Sequence, residues 1–345
     1  MNVKIAINGR FLTQSVTGVQ RVARETIRSL APMLHAAGFE VVIFCPSLAT
    51  IEDDFEGIPV RKIGRFSGHL WEQLELPWYV YGWRLINFCN TGPVLCKSLI
   101  SYMHDAQVYL TPKSYPSAFV LFYKIIQPAL ALRSSCVVTV SDASKATLVK
   151  NGVCKEGKLA VVYNGVDHFL DVSAEKGYAV SIVGDSPFVL LLGSDKAHKN
   201  INTIIEAFSG LEPSGTKLVV SNAVDLNLPK SESIIALGKV SDPELKDLYC
   251  NASLFVFPSL TEGFGLPPLE ALSCQCPVLL SDIDVFKELF GSAVNYVKPT
   301  DVAAWRDAIL NELSLKNESS VEIWEKYRWN NSAIKLFEVI QEGVK

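Results

Sequence analysis

Two glutamates, Glu262 and Glu270, bracket a run of bare backbone in the stretch "PSLTEGFGLPPLEAL" (Pro258–Leu272). Between them lie Gly263-Phe264-Gly265, then Pro267 and Pro268. Prolines suit a first helical turn, where a missing N–H costs nothing. The spacing therefore predicts a loop after the strand "LFVFP" and a helix opening at "PPLEALS". A helix N-terminus favours an anion, through its unused N–H groups and the positive pole of its dipole. Glycines let backbone approach such an anion closely. With Glu262 before the anion position and Glu270 about one turn into the helix, the two acids can flank a ligand with phosphates in its middle and hydroxyls at both ends. A nucleotide sugar has that chemistry. Taken without context, the pair also reads as a helix-start acid and a solvated charge.

The elements needed to hold such a site recur along the chain. Short apolar runs, "VKIAIN" (Val3–Asn8), "EVVIFC" (Glu40–Cys45), "SLISYM" (Ser98–Met103), "CVVTVS" (Cys136–Ser141) and "LAVVYN" (Leu159–Asn164), read as buried parallel strands. Between the first two, "GVQRVARETIRSLAPMLHAAG" is amphipathic, with Val22, Ile27, Leu30 and Leu34 on roughly one face and Gly38 as its stop. The polar segment Leu170–Ser186 is the best linker candidate. After it the alternation restarts with "FVLLLGS", "KLVVSN", "IIALGKV", "LFVFPS" and "PVLLSD". The expectation is an N-terminal domain over 1–170, a linker over 171–186, a second domain over 187–320 and C-terminal helices over 321–345 that could pack back on the first domain. Two βα-rich halves imply two doubly wound domains facing across a cleft.

Composition narrows the function. At 345 residues the chain fits two domains, and 49% hydrophobic against 20% charged residues is a folded composition. A net charge of −4 argues against a dedicated nucleic-acid binder. The N-terminus lacks a basic-then-apolar signal, and Tyr115–Leu132 is broken by Lys124, Gln127 and Pro128, short of a spanning helix. Eight cysteines without paired CxxC spacing, and five histidines, give no metal-site pattern. A cytoplasmic protein is expected.

The segment from Phe257 to Asp282 resembles the E-x7-E signature of family 4 glycosyltransferases, which have the GT-B fold. The resemblance covers nearly the whole chain. "NGRFLTQSVTGVQRVARE" is similar to that family's opening glycine loop, "YMHDAQ" to its His-Asp, "VSDASKATLVKNGVCKEGKLAVVYNGVD" to its passage between domains, and "LLLGSDKAHKNINTIIEAF" to the segment carrying its phosphate lysine. The branch it resembles builds bacterial O-antigen or exopolysaccharide chains with mannosyl, rhamnosyl or glucosyl groups. The resemblance implies a retaining, metal-independent transferase with no cofactor beyond its nucleotide-sugar donor, working by front-face displacement.

Residue by residue, the resemblance implies that Glu270 holds the donor ribose and Glu262 the donor sugar. Backbone of Gly263, Phe264, Gly265 and Leu266 would lie near sugar and phosphate, and Gly18 would let backbone close on the same phosphates. Lys199 would neutralise the leaving diphosphate, and His104 would lie at the cleft beside the anomeric carbon. Asp105 orients a loop or contributes to the site; Asn164-Gly165-Val166-Asp167 is a junction turn or a donor contact. Where many members carry Arg after the "LLLG" glycine, this chain has Ser194, so Lys199, helped by His198 or Lys196, takes more of the charge. Gln275 replaces a usual small residue. A GT-B nucleotide-sugar epimerase and a catalytically silent glycan-binding protein are the alternatives. The expected acceptor is a glycan on a lipid diphosphate. Trp71, Trp78, Tyr79, Tyr81, Trp83 and Arg84 could give a weak contact with the inner-membrane surface, or Leu70–Leu85 and Tyr115–Leu132 could be core.

Overall fold

The computed structural model describes all residues except 1–2, 52, 210, 212–214, 224–225, 316–322 and 343–345. It divides into two units, Met1–Gly165 with Tyr327–Lys345, and Val166–Lys326. Each is built on one parallel sheet. The first contains β1 (Lys4–Asn8), β2 (Glu40–Pro46), β3 (Val60–Ile63), β4 (Arg84–Asn87), β5 (Leu99–Tyr102), β6 (Cys136–Thr139) and β7 (Leu159–Val161), in the order β3-β2-β1-β4-β5-β6-β7. The second contains β8 (Phe188–Leu192), β9 (Lys217–Ser221), β10 (Ile234–Ala236), β11 (Leu254–Phe257), β12 (Val278–Ser281) and β13 (Asn295–Val297), in the order β10-β9-β8-β11-β12-β13. Both are doubly wound, Rossmann-like sheets. In each, strand order reverses beside the first strand, between β1 and β4 and between β8 and β11. Ligands of such sheets bind at that reversal, outside the carboxyl ends of the strands.

The central strands are covered on both faces: β5, β11 and β12 are buried throughout. On the helix Gly18–Ala36 the expected apolar face is the buried one, with Ile27, Leu30 and Leu34 at 0% exposure. Burying each such side chain contributes roughly 1.5–3 kcal/mol. Gly38, at φ +71°, follows that helix in the left-handed region that glycine enters at no steric cost.

Residues 171–186, expected as linker, belong to the second unit. They include the helix Tyr178–Val183, whose Ala179 N–H donates to the Asp247 carboxylate at 2.9 Å. Just before it, Lys246 Nζ donates to the carbonyls of Phe169 and Leu170. The C-terminal segment divides. Ile323–Lys326 stays with the second unit, and the helix Trp329–Glu342 packs on Gly18–Ala36 in the first. Gly165 makes that return feasible, since a Cβ there would lie 2.2 Å from the Trp329 nitrogen.

The aromatic stretch near residue 80 splits between core and surface. Trp71 is fully buried, with its indole N–H donating to the Ile63 carbonyl at 2.9 Å, so its place in a surface patch is corrected. Trp83 packs edge-on against Phe44 at 5.5 Å, and Arg84 donates to the Ile340 carbonyl. Trp78, Tyr79 and Tyr81 remain exposed. Among the described residues, no helix is long and apolar enough to cross a membrane.

Candidate functional site

In the second unit, the expected donor residues gather at the β8/β11 reversal. After β8, Ser194 Oγ accepts the Lys196 N–H at 3.2 Å, and a short 3-10 turn over Ala197–Lys199 follows. Asn200 then sits at φ +56°, a left-handed conformation that Asn tolerates better than most residues. Its side-chain amide donates to the carbonyls of Pro258 and Pro299, at 3.1 and 2.7 Å. The Leu260 N–H donates to the His198 carbonyl at 2.8 Å, so the two loops are stitched together through backbone.

That stitching delivers Lys199 to Glu262. The ammonium lies 2.7 Å from Glu262 Oε1, which also accepts the Ser259 hydroxyl at 2.6 Å. Lys199 additionally lies over the Phe257 ring, 5.1 Å from its centroid. An ammonium has three N–H donors, so one ion pair leaves it donors for a ligand. His198 is buried, and burial lowers the pKa of its imidazole below the ordinary 6.5, so it is neutral at pH 7. Lys196 is exposed and 3.4 Å from Asp195. The cation that this turn presents beside Glu262 is Lys199.

Glu270 is buried in the helix Leu266–Ser273, with Oε1 3.6 Å from His168 Nε2. Sequence reading gave His168 no role; it follows the "NGVD" turn closely enough to have been considered. Gly265 opens this helix at φ +154°, ψ 50°, and a Cβ there would meet Phe286 at 3.2 Å. Gly263, Phe264, Gly265 and Leu266 are all buried against the body of the unit. Gln275, past the helix end, occupies a left-handed φ of +60°, a conformation that favours glycine.

In the first unit, Gly18 opens the helix Gly18–Ala36, and Thr17 with Gln20 forms a capping box before it. Beyond its chain neighbours and its own helix backbone, a Cβ built on Gly18 would meet no atom within 4 Å. His104 follows β5. Its backbone N–H donates to Asn90 Oδ1 at 2.8 Å, and its Nε2 lies 2.7 Å from the Phe88 carbonyl. A carbonyl can only accept, so Nε2 carries the proton and Nδ1 is the acceptor. Asp105 accepts the Gln107 N–H at 2.9 Å and starts the helical turn Gln107–Leu110.

Burial pushes the His104 imidazole from 6.5 down to about 4. The unfolded chain binds this proton more readily than the folded one, so the contribution is complete above about pH 6.5 and is lost as pH falls towards 4. The shift corresponds to ~3 kcal/mol. Urea denaturation at a series of pH values should show a steeper acid loss for the wild type than for His104→Asn. Identical slopes in both would remove His104 as the cause.

The first sheet's reversal holds a polar cluster that the sequence reading did not identify. Arg10 Nε lies 3.3 Å from Glu72 Oε1, and both side chains are buried. Asn8 Nδ2 donates to Glu72 Oε1 at 2.7 Å and to Asn87 Oδ1 at 2.8 Å, while Arg10 Nη2 donates to Thr91 Oγ1 at 2.8 Å. The available signal was "WEQ": an acid next to a tryptophan, both drawn into a core.

Both halves of the chain are similar to known proteins. The model described as Glycosyltransferase Family 4 matches residues 16–168, and that described as Glycosyl transferases group 1 matches residues 178–328. The O-antigen chain mannosyltransferase RfbU of Salmonella typhimurium is 30% identical over 68% of this chain and 70% of its own length. The O-antigen chain mannosyltransferase B of Escherichia coli is 28% identical over 65% of this chain and 63% of its own. The crystal structure of Anabaena Alr3699/HepE in complex with UDP-glucose superposes with a TM-score of 0.71 at 14% identity, over 99% of this chain and 100% of that one. Matched in both halves and built on two Rossmann-like sheets, the chain belongs to the family 4 glycosyltransferases of the GT-B fold.

Proposed function

We propose that this glycosyltransferase moves a hexose of mannose, rhamnose or glucose type from a nucleotide-sugar donor to a growing O-antigen or exopolysaccharide glycan, with retention of the anomeric configuration and without a metal ion. The observation that carries the donor half is the Lys199–Glu262 pair, set in the same unit as the buried Glu270. A fixed cation beside the departing phosphate lowers the barrier to breaking the sugar–phosphate bond. Glu262, already holding that cation, meets the sugar hydroxyls; Glu270 meets the ribose; backbone of Gly263 to Leu266 borders the sugar and phosphates. The mannosyltransferase relatives support the hexose class, and HepE, described with UDP-glucose, supports a nucleotide-sugar donor. The epimerase alternative is set aside, because those relatives are named as transferases.

We place the acceptor on a lipid diphosphate, and the protein in the cytoplasm with weak attachment to the inner membrane. Exposed Trp78, Tyr79 and Tyr81 support this, since such aromatics suit a headgroup layer. The test separates the two acids by calorimetry in excess EDTA. Glu270→Ala should weaken binding of the free nucleoside diphosphate. Glu262→Ala should leave that binding nearly unchanged while lowering transfer from UDP-, GDP- or dTDP-sugars. Equal loss of nucleotide affinity in both would overturn the division of roles, and a wild type active only with a divalent ion would overturn the metal-free account.

A further inference from the structure

We propose that His69, seated on the buried Arg10–Glu72 pair and faced by Phe122, forms the subsite that binds a neutral sugar ring of the acceptor. The proposal rests on the glycosyltransferase reading and adds a substrate group and residues to it. His69 Nδ1 lies 2.9 Å from Arg10 Nη1 and 3.4 Å from Glu72 Oε2, and its side chain is 44% exposed. It is therefore the outermost member of a network whose inner members are sealed. The Phe122 ring meets the imidazole at 4.8 Å and 60°. The aromatic wall continues along the helix Ser117–Arg133, where Tyr123 stacks on Phe119 at 4.2 Å.

Position and charge select the ligand. Asn8 ends β1 and Arg10 follows it, while Asn87 ends β4 and Thr91 follows that strand, so the network occupies the reversal point of the first sheet, where doubly wound sheets bind ligands. The loop carrying Thr91 also carries Asn90, whose side chain accepts the His104 N–H. His69 and His104 are thus tied to one loop at one end of the sheet. A phosphate would need an uncompensated cation, but Glu72 takes the charge of Arg10 at 3.3 Å. What remains is a charge-balanced polar edge beside aromatic faces. A sugar ring presents hydroxyls at its rim and C–H groups on its face, which fits both parts; pockets of this kind use few polar groups to orient a ligand against aromatic walls. The local helix is also unusual. Trp71–Glu75 has π-helical hydrogen bonding, a distortion frequent at functional sites.

The test uses the full chain and ligand-observed NMR with methyl glycosides of mannose, glucose, galactose and rhamnose at high millimolar concentration. The wild type should bind at least one. His69→Ala and Phe122→Ala should each weaken that binding about tenfold or more, without lowering the melting temperature or the affinity for UDP and GDP, and His69→Gln should recover part of it. A wild type that binds no glycoside, or variants that bind as well as the wild type, would overturn the subsite. So would a His69-dependent site for inorganic pyrophosphate in place of glycosides. Nucleotide binding in the same samples keeps the two readings apart: its loss in the wild type sinks the transferase reading, whereas its retention without His69-dependent sugar binding sinks only the subsite.

Discussion

Lys199→Ala should lower sugar transfer a hundredfold to a thousandfold, a loss of about 3–4 kcal/mol of barrier stabilisation. The turn Ala197–Lys199 is fixed from both sides, by the Asn200 amide on Pro258 and Pro299 and by the His198 carbonyl on Leu260. The ammonium therefore sits in place before any ligand arrives, and in the proposed role its charge would need no rearrangement as charge builds on the leaving phosphate. The folded state should tolerate the change. The Lys199 side chain is 28% exposed, and partly solvated ion pairs contribute about 1 kcal/mol or less. Lys196→Ala is the matched control, because its partner Asp195 is exposed and its removal should leave turnover near that of the wild type. Rates of nucleotide release from a sugar donor would decide. Near-normal turnover in Lys199→Ala would sink the assignment, and a large loss in Lys196→Ala would move the role to that residue.

Glu72→Ala should destabilise the first unit by about 3–5 kcal/mol, because it leaves the Arg10 guanidinium buried without its counter-charge. Arg10 is 6% exposed and Glu72 is 0% exposed, so neither can recruit bulk water in compensation. Asn8 and Thr91 also lose an acceptor. For a unit of this size each kcal/mol moves the melting temperature by roughly 2–4 °C, so a fall on the order of 10 °C is expected. Replacing both partners, Arg10→Met with Glu72→Leu, should cost less than Glu72→Ala alone, since neither charge is then left buried and unpaired. Calorimetric scans of the three proteins check this. A fall of only a degree or two in Glu72→Ala would show that the pair is not held as a buried ion pair.

The legible part of this protein was local in kind. The apolar runs that became β1, β2, β5, β6 and β7 were visible because strands buried on both faces carry nearly continuous Val, Ile and Leu. Strands β3 "VRKI" and β4 "RLIN" were missed. Each is four residues long, and Arg and Lys on β3 and the leading Arg on β4 hide the apolar period. The strand β13 "NYV" is shorter still. The aromatic stretch around Trp78 left core and surface open for a related reason: composition cannot show that Trp71 points into the core while Trp78 points out.

By itself the sequence determined the two alternating halves and the glycine-bounded loop before Glu270, because each depends on neighbours within about a dozen positions. Only the tertiary structure decided which of these meet. Lys199 and Glu262 are 63 positions apart and touch because β8 and β11 are adjacent in the sheet. Arg10, Glu72 and Thr91 come together because β4 crosses back to pair with β1. A parallel sheet brings distant loops to one edge through its strand order, and strand order is set by long-range packing that no short stretch of sequence carries.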